Sequence, residues 1–213
     1  MPKSTSSSNG VNVNNTDAIE VPEFFYLADT AHLTHLIADM FNRLISHNDQ
    51  IPLTPSNLTR FHSRTPPGIS IYDYLRRIVK YTSVEKPCLI MLLVYIDRVS
   101  ELHRSFIISS LTVHRFLITA VVVASKALCD AYCTNTHYAK VGGVSTQEIN
   151  ALELEFLFFI DWKLYCSPET LQQYYVNLVD QHPSYKQITE AVEPKPKRFK
   201  AKQDSEPTEE TLS

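Results

Sequence analysis

The stretch Phe116-Leu117-Ile118-Thr119-Ala120-Val121-Val122-Val123-Ala124 decides the fold, because a helix built from it is apolar on every side except at Thr119. A helix that is hydrophobic all round belongs in the middle of a bundle. Ser109 or Ser110 can cap this helix, and its pattern continues to about Tyr132. No alternating strand pattern competes. The sequence therefore predicts an all-α domain around one central helix.

Five further helices are predicted from apolar residues at helical spacing and from capping residues in front of them. Pro87 falls near the first turn of one, where its missing amide proton costs little. Another begins with a capping box, in which Ser145 is the N-cap and Glu148 follows three residues later. The predicted starts and ends are Asp29 to about Leu44, Ser70 to Tyr81, Ser83 to Leu102, Ser145 to Ile160, and Ser167-Pro168-Glu169 onward.

Composition excludes several functions. Only four glycines occur in 213 residues, which is too few for a phosphate-binding loop or a dinucleotide fingerprint. The net charge is −3, and residues 58–182 carry 12 basic and 11 acidic side chains. This balance does not indicate a basic face that would bind nucleic acid directly. The longest apolar run, nine residues from Cys88 to Ile96, is too short to cross a membrane. The four cysteines lie in or beside apolar runs and are expected to be reduced.

Both ends of the chain have a different composition. Residues 1–20 contain ten Ser, Thr and Asn and are expected to be a disordered leader. From residue 183 onward no hydrophobic period survives, and we expect a disordered charged tail. Within it, five positive charges between Lys195 and Lys202 form either a nuclear import signal or an ordinary solvated segment.

Two charges stand where a packed helix should not carry them. Lys126 has Val122, Val123 and Cys129 one turn away, and Glu153 lies within an apolar stripe of its own helix. A lone charge in such a place costs several kcal/mol unless it is paired or reaches water. The two side chains therefore either form an internal ion pair or project at one edge of the domain to bind a partner.

Several separated motifs match one known family in order and spacing. They are Tyr95-Ile96-Asp97-Arg98, Ala124-Ser125-Lys126-Ala127-Leu128, Leu152-Glu153-Leu154-Glu155-Phe156-Leu157, and the segments 63–71, 111–117 and 137–144. These motifs resemble the cyclin box, and in more detail the fungal phosphate-pathway cyclins and their plant P/U-type relatives. The resemblance implies a single five-helix cyclin box at residues 58–165. An N-terminal helix and linker at 21–57 and a C-terminal helix at 166–182 flank it.

The resemblance also implies a function and its residues. A chain of this family is not itself an enzyme but binds and activates a cyclin-dependent kinase, here one of the Pho85 type. The positions of Lys126 and Glu153 anchor the αC region of the kinase, and we place Asp97 in the same kinase-binding set. In most cell-cycle cyclins the Asp matching Asp97 pairs with an Arg in the first box helix. Here that region reads Pro66-Pro67-Gly68-Ile69-Ser70, so that salt bridge is not carried over. Asp97 and Arg98 alternatively form a local exposed pair.

A second surface is predicted at the ends of the central helix. Arg115 near its start opposes the helix dipole, and a Glu148 carboxylate across the bundle would neutralise it. We expect Arg115, Glu148 and Asp130 to recognise a substrate or an inhibitor. The alternatives are that Glu148 only closes the capping box and that Asp130 is a solvated surface acid.

Metal and nucleophilic chemistry receive little support. Cys129, Cys133 and His137 are spaced by four residues, but a fourth ligand is lacking nearby and structural zinc normally has four. His114 has no Ser or Cys nucleophile with a supporting acid. We therefore predict no catalytic residue, no metal and no cofactor.

The resemblance predicts repression of phosphate-starvation signalling through phosphorylation of a transcription factor, with an ankyrin-repeat protein as a possible inhibitor. The expected location is the nucleus and the cytoplasm. The rival interpretation is a cyclin-fold transcription or adaptor factor that acts without a kinase.

Overall fold

The computed structural model of the protein describes residues 18–188 and consists mainly of helices, which confirms the predicted all-α class. Its seven helices are numbered in chain order, and two short strands stand at the ends of the described chain. The elements are β1 (Ile19–Pro22), α1 (Thr30–Asn48), α2 (Ile71–Tyr81), α3 (Lys86–Leu102), α4 (Val113–Leu128), α5 (Asn135–Gly142), α6 (Thr146–Phe159), α7 (Pro168–Asp180) and β2 (Tyr185–Ile188).

Helix α4 lies at the centre of the bundle, as its composition predicts. Every residue from Phe116 to Ala124 is at most 3% exposed, and neighbours on all sides come from α2, α3, α5 and α6. Thr119, the one polar residue of this stretch, donates its hydroxyl to the Arg115 carbonyl at 2.7 Å, so burial leaves no hydrogen bond unmade.

Four of the predicted helix starts are confirmed by their caps. Asp29, Ser70, Ser145 and Ser167 each accept a hydrogen bond from a backbone amide in the first turn of α1, α2, α6 and α7. Such a cap satisfies an amide that has no partner within the helix.

Three predicted boundaries are wrong by a few residues. Helix α3 begins at Lys86 rather than near Ser83, so that Pro87 sits in its first turn. Helix α4 begins at Val113, because the hydroxyl of Thr112 bonds to the Ser109 amide and holds that segment in a turn. It ends at Leu128 rather than near Tyr132, since Cys129 is extended.

Helix α5 is absent from the sequence prediction. Thr134 accepts a hydrogen bond from the His137 amide at its start, and Gly143 ends it in the left-handed conformation with φ of 73°. The helix is only eight residues long, and that length leaves little apolar period to detect. With α5, the segment 58–165 contains five helices, α2 to α6.

The strands β1 and β2 pair in parallel, with Ile19 opposite Tyr185. No strand was expected here, and the predicted leader and tail both reach too far, because residues 19–20 and 183–188 belong to the described fold. Four-residue strands that pair across more than 160 residues leave no local pattern to read. The rest of the predicted leader and tail, including Lys195 to Lys202, lies outside the described residues.

Within residues 18–188, no helix combines the length and the apolar character that a membrane crossing requires.

Candidate functional site

Lys126 and Glu153 meet where three helices join. Lys126 lies in the last turn of α4, and its ammonium donates to both carboxylate oxygens of Glu153 in α6, at 2.6 and 2.8 Å. Asn135, the first residue of α5, donates its amide to the same carboxylate at 2.8 Å and to Asn150 at 2.7 Å. The ammonium also suits the negative end of the α4 dipole.

The pair is near the surface rather than deep in the core. The Lys126 side chain is 31% exposed and the Glu153 side chain 17%. The prediction of an internal ion pair is thus confirmed for the chain on its own. Both charged groups nevertheless keep solvent contact, so the arrangement is compatible with hydrogen bonds to a partner at this edge.

Asp97, predicted to belong to the same set, makes different contacts. Its carboxylate accepts a 2.6 Å hydrogen bond from the hydroxyl of Tyr174 in α7. Burial, and then this carboxylate, raise the pKa of Tyr174. The local Asp97–Arg98 pair is wrong, because the Arg98 guanidinium donates instead to the carbonyls of Lys163 and Tyr165. A kinase contact by Asp97 stays a prediction.

Arg115 and Glu148 form an ion pair between α4 and α6, about one-quarter to one-third exposed. The other arm of the guanidinium donates to the backbone carbonyls of Arg60 and His62, both at 2.8 Å. The interpretation that Glu148 only closes a capping box is wrong, because its carboxylate reaches Arg115 while the Ser145 hydroxyl still caps α6. Arg115 and Glu148 therefore link the segment that precedes α2 to helices α4 and α6.

Asp130 does not join them. It is exposed and lies beyond Leu128, where α4 has already ended. From Arg115 to the helix end at Leu128 the chain advances 13 residues, a rise of roughly 20 Å at 1.5 Å per residue. Asp130 therefore lies at the Lys126 end of α4, apart from Arg115 and Glu148, and its contact with a substrate or an inhibitor stays a prediction.

A row of exposed apolar side chains was missed. Leu154, Phe158 and Trp162 are 52%, 59% and 55% exposed, and the rings of the last two make an edge contact with centroids 5.8 Å apart. They follow Glu153 along the outer side of α6 and just past its end. Their spacing of four residues is visible in the sequence, but only the burial of the opposite side shows that this one faces solvent.

The cysteines and His137 make contacts that do not converge on one point. The Cys129 sulfur lies 3.3 Å from the sulfur of Cys88, and the His137 imidazole bonds to the Tyr81 carbonyl at 2.6 Å. Burial raises the pKa of the Cys88 thiol. Within residues 18–188 no three His, Cys, Asp or Glu side chains are grouped so that they could hold a metal ion.

The chain is similar to known cyclins. A sequence profile of the cyclin family matches residues 32–164, so the match begins inside α1, before the predicted box start at 58. A Neurospora crassa protein, "Nuc-1 negative regulatory protein preg", is 50% identical over 76% of this chain. The Saccharomyces cerevisiae "PHO85 cyclin PHO80" is 40% identical over 76% of it. Cyclin-U1-1 of Arabidopsis thaliana is 33% identical over 92% of it.

Coverage of the relatives differs. The matched region is 34% of the Neurospora protein and 58% of the yeast protein, but 90% of the plant protein. The profile match covers more than half of the chain, and it spans most of α1 and all of α2 to α6. On these grounds the chain belongs to the cyclin family.

Proposed function

We propose that this chain binds and activates a cyclin-dependent kinase of the Pho85 type. Members of the cyclin family are regulatory subunits of kinases and are not catalytic themselves. One observation carries the proposal: the partly exposed Lys126–Glu153 pair lies beside the exposed apolar row Leu154, Phe158 and Trp162. The names of the similar yeast proteins, "PHO85 cyclin PHO80" and "PHO85 cyclin-7", support the choice of kinase.

The surface suits docking of a helix. The ion pair holds its two charged groups in one orientation, so that they can bond to polar backbone groups at a helix end without reordering. The apolar row supplies contact area, and aromatic anchors of this kind dominate the affinity of protein interfaces. In a kinase, the αC helix carries a Glu that must pair with the ATP-site Lys. A cyclin that holds αC inward therefore switches catalysis on.

A second surface around Arg115 and Glu148 selects what the kinase acts on. It lies at the other end of α4, 11 residues and roughly 16 Å from Lys126, so both surfaces can be occupied together. By resemblance, its ligands are a transcription-factor substrate and an ankyrin-repeat inhibitor. The name of the Neurospora relative, a negative regulatory protein, supports repression as the outcome. Phosphate-starvation signalling in nucleus and cytoplasm is the setting we propose.

Copurification tests the kinase assignment. The tagged full chain is isolated from cell extract, and the recovered material is assayed for protein kinase activity and analysed by mass spectrometry. We expect a cyclin-dependent kinase in the eluate and activity that depends on the chain. Recovery of transcription factors without a kinase would instead favour the cyclin-fold adaptor.

The recognition surface is tested separately in the reconstituted complex. Glu148→Lys places two cations together and should lower phosphorylation of the protein substrate while kinase binding survives. The Glu155→Lys change on the same helix is the control. It is a weaker perturbation, because the ion-pair partner of Glu155 is the mostly exposed Arg60 side chain, at 3.4 Å. Loss of kinase binding by Glu148→Lys would make the pair merely structural.

A further inference from the structure

A cavity of about 260 Å³ adjoins the Arg115–Glu148 pair, between α2, the start of α4 and the junction of α5 with α6. Its walls combine polar and apolar groups. The titratable and charged side chains that line it are Tyr74, Arg77, His114, Arg115 and Glu148. Tyr74 is 2% exposed and donates its hydroxyl to the Gly142 carbonyl at 3.0 Å, which holds α2 against the end of α5.

The charges around the cavity do not balance. Arg115 is neutralised by Glu148, and its other nitrogen bonds to two carbonyls. Arg77 packs its guanidinium 5.1 Å from the Tyr74 ring centroid, and no carboxylate of residues 18–188 forms a salt bridge with it. Its Nε is buried without a hydrogen-bond partner in the same part of the chain. One positive charge is therefore left over.

His114 supplies a second unmade hydrogen bond. The residue is 8% exposed, and its Nε2 lies 3.0 Å from the Ile69 carbonyl. A carbonyl only accepts, so Nε2 carries the hydrogen and the neutral ring has its lone pair on Nδ1. That Nδ1 is buried without a partner among the described residues. An unpaired buried polar group destabilises a protein, so such a group beside a cavity indicates a place for a ligand.

A negatively charged ligand would resolve both defects. It would balance the Arg77 guanidinium, whose planar fork matches the oxygens of a carboxylate or phosphoryl group. It would also favour a proton on Nδ1 of His114, which could then donate. Burial lowers the pKa of His114, the hydrogen bond to the Ile69 carbonyl raises it, and the charge of Arg77 lowers it; a bound anion would oppose the effect of Arg77. The other titratable or charged groups that line the cavity are Tyr74, Arg115 and Glu148.

We propose that this cavity is an oxyanion site that takes the phosphoryl or carboxylate group of a bound protein's side chain. The identity of that protein rests on the proposed recognition role of Arg115 and Glu148. The preference for an oxyanion does not rest on that role, because it follows from the contacts of Arg77 and His114. The adjoining apolar wall of Pro67, Ile69 and Val144 suits the remainder of a peptide better than a free ion.

The test uses the full chain without kinase. Short blocked alanine peptides with phosphoserine, glutamate or serine at the centre, and inorganic phosphate, are titrated at constant ionic strength. Calorimetry gives affinity, and ¹⁵N spectra of the imidazoles report the protonation of Nδ1 in His114. We expect the phosphoserine or glutamate peptide to bind and to shift that resonance toward a protonated nitrogen, while the serine peptide does neither.

Arg77→Gln should lower the affinity for the anionic peptide by about tenfold or more, which is the range for the loss of a hydrogen bond to a charged group. Arg76→Gln, its exposed neighbour on α2, is the matched control and should bind as the wild type does. Arg77→Lys keeps the charge and should retain part of the affinity, which separates binding from a folding defect.

Equal binding by the Arg77→Gln and Arg76→Gln variants, or an unmoved His114 resonance, would overturn the proposal. Inorganic phosphate that binds as tightly as the peptides would overturn the protein side chain as the source of the oxyanion. The peptide titration does not involve a kinase, so its failure would not contradict the proposed kinase function. A failure to copurify a kinase would likewise not contradict the oxyanion site.

Discussion

The ammonium of Lys126 lies 2.6 Å from one carboxylate oxygen of Glu153 and 2.8 Å from the other, so that α4 and α6 are joined by a two-pronged ion pair. In the chain alone these charges satisfy each other. Their partial exposure and the adjacent apolar row make the same atoms available at an interface. One pair can thus contribute to the stability of the fold and to the docking of a kinase, and variants can separate the two.

A charge swap separates stability from kinase activation. Lys126→Glu alone sets two carboxylates together and should lower the free energy of unfolding by about 1–3 kcal/mol, between the ranges for exposed and buried pairs. Adding Glu153→Lys should restore much of that loss, but it reverses both charges toward the kinase. Urea unfolding and a kinase activation assay on both variants check this. Lys140→Glu, at an exposed position of α5, is the control. If the double swap also restored kinase activation, the pair would be only structural.

Removal of the exposed aromatic side chains should affect binding and spare the fold. Phe158→Ala is expected to weaken kinase binding by about tenfold or more, as anchor residues do, and to change stability by about 0.5 kcal/mol or less because the ring is mostly in solvent. Leu102→Ala, at the exposed end of α3, is the control. Trp162 is the only tryptophan of the chain, so its fluorescence should shift to the blue when the kinase covers it. An unchanged spectrum in the complex would argue against this docking face.

Gly142 is required where α5 approaches α4. A Cβ at this position would lie 2.7 Å from Cγ1 of Ile118, which is fully buried. We expect Gly142→Ala to destabilise the protein by about 1–3 kcal/mol through overpacking. Gly68→Ala is the matched control, because a Cβ there has nothing within 4 Å. Thermal unfolding of the two variants should differ clearly, and equal melting temperatures would show that the helices can separate without cost.

Stability should fall as the pH drops below about 6.5, and His182 should account for part of this. It is 9% exposed beside β2, and burial lowers its pKa; Asp39 at 3.7 Å opposes the shift, and His35 and Arg43 add to it. Because the folded state favours the neutral ring, the unfolded state takes up the proton at higher pH. The contribution of His182 to stability is therefore complete above 6.5, the pKa of the ring in the unfolded state, and it is lost as the pH falls below that value.

The measurement is the melting temperature between about pH 7.5 and 5.5. His182→Gln should reduce the slope, whereas His47→Gln, at an exposed position of α1, should leave it unchanged. Part of the slope should remain in His182→Gln, because burial also lowers the pKa of His62 and His114. Identical slopes in both variants would contradict a role for His182.

Local signals account for the features that the sequence predicted correctly. A capping side chain acts on amides two or three residues away, so the starts of α1, α2, α6 and α7 can be read from Asp29, Ser70, Ser145 and Ser167. The centre of α4 is equally readable, because only the middle of a bundle tolerates a helix that is apolar all round. The motifs that resemble the cyclin box are local as well.

Interactions between distant segments decided the rest. Whether Lys126 pairs with Glu153 depends on how α4, α5 and α6 meet, and the Glu148 carboxylate reaches Arg115 only because α4 lies across from it. The pairing of β1 with β2, and the cavity in which Arg77 and His114 keep unmade hydrogen bonds, arise the same way. The sequence by itself determined six of the seven helices of the described residues and the family that they build, while α5 was too short to detect. Only the tertiary structure decided which charges are compensated, because compensation is a property of distances between residues far apart in the chain.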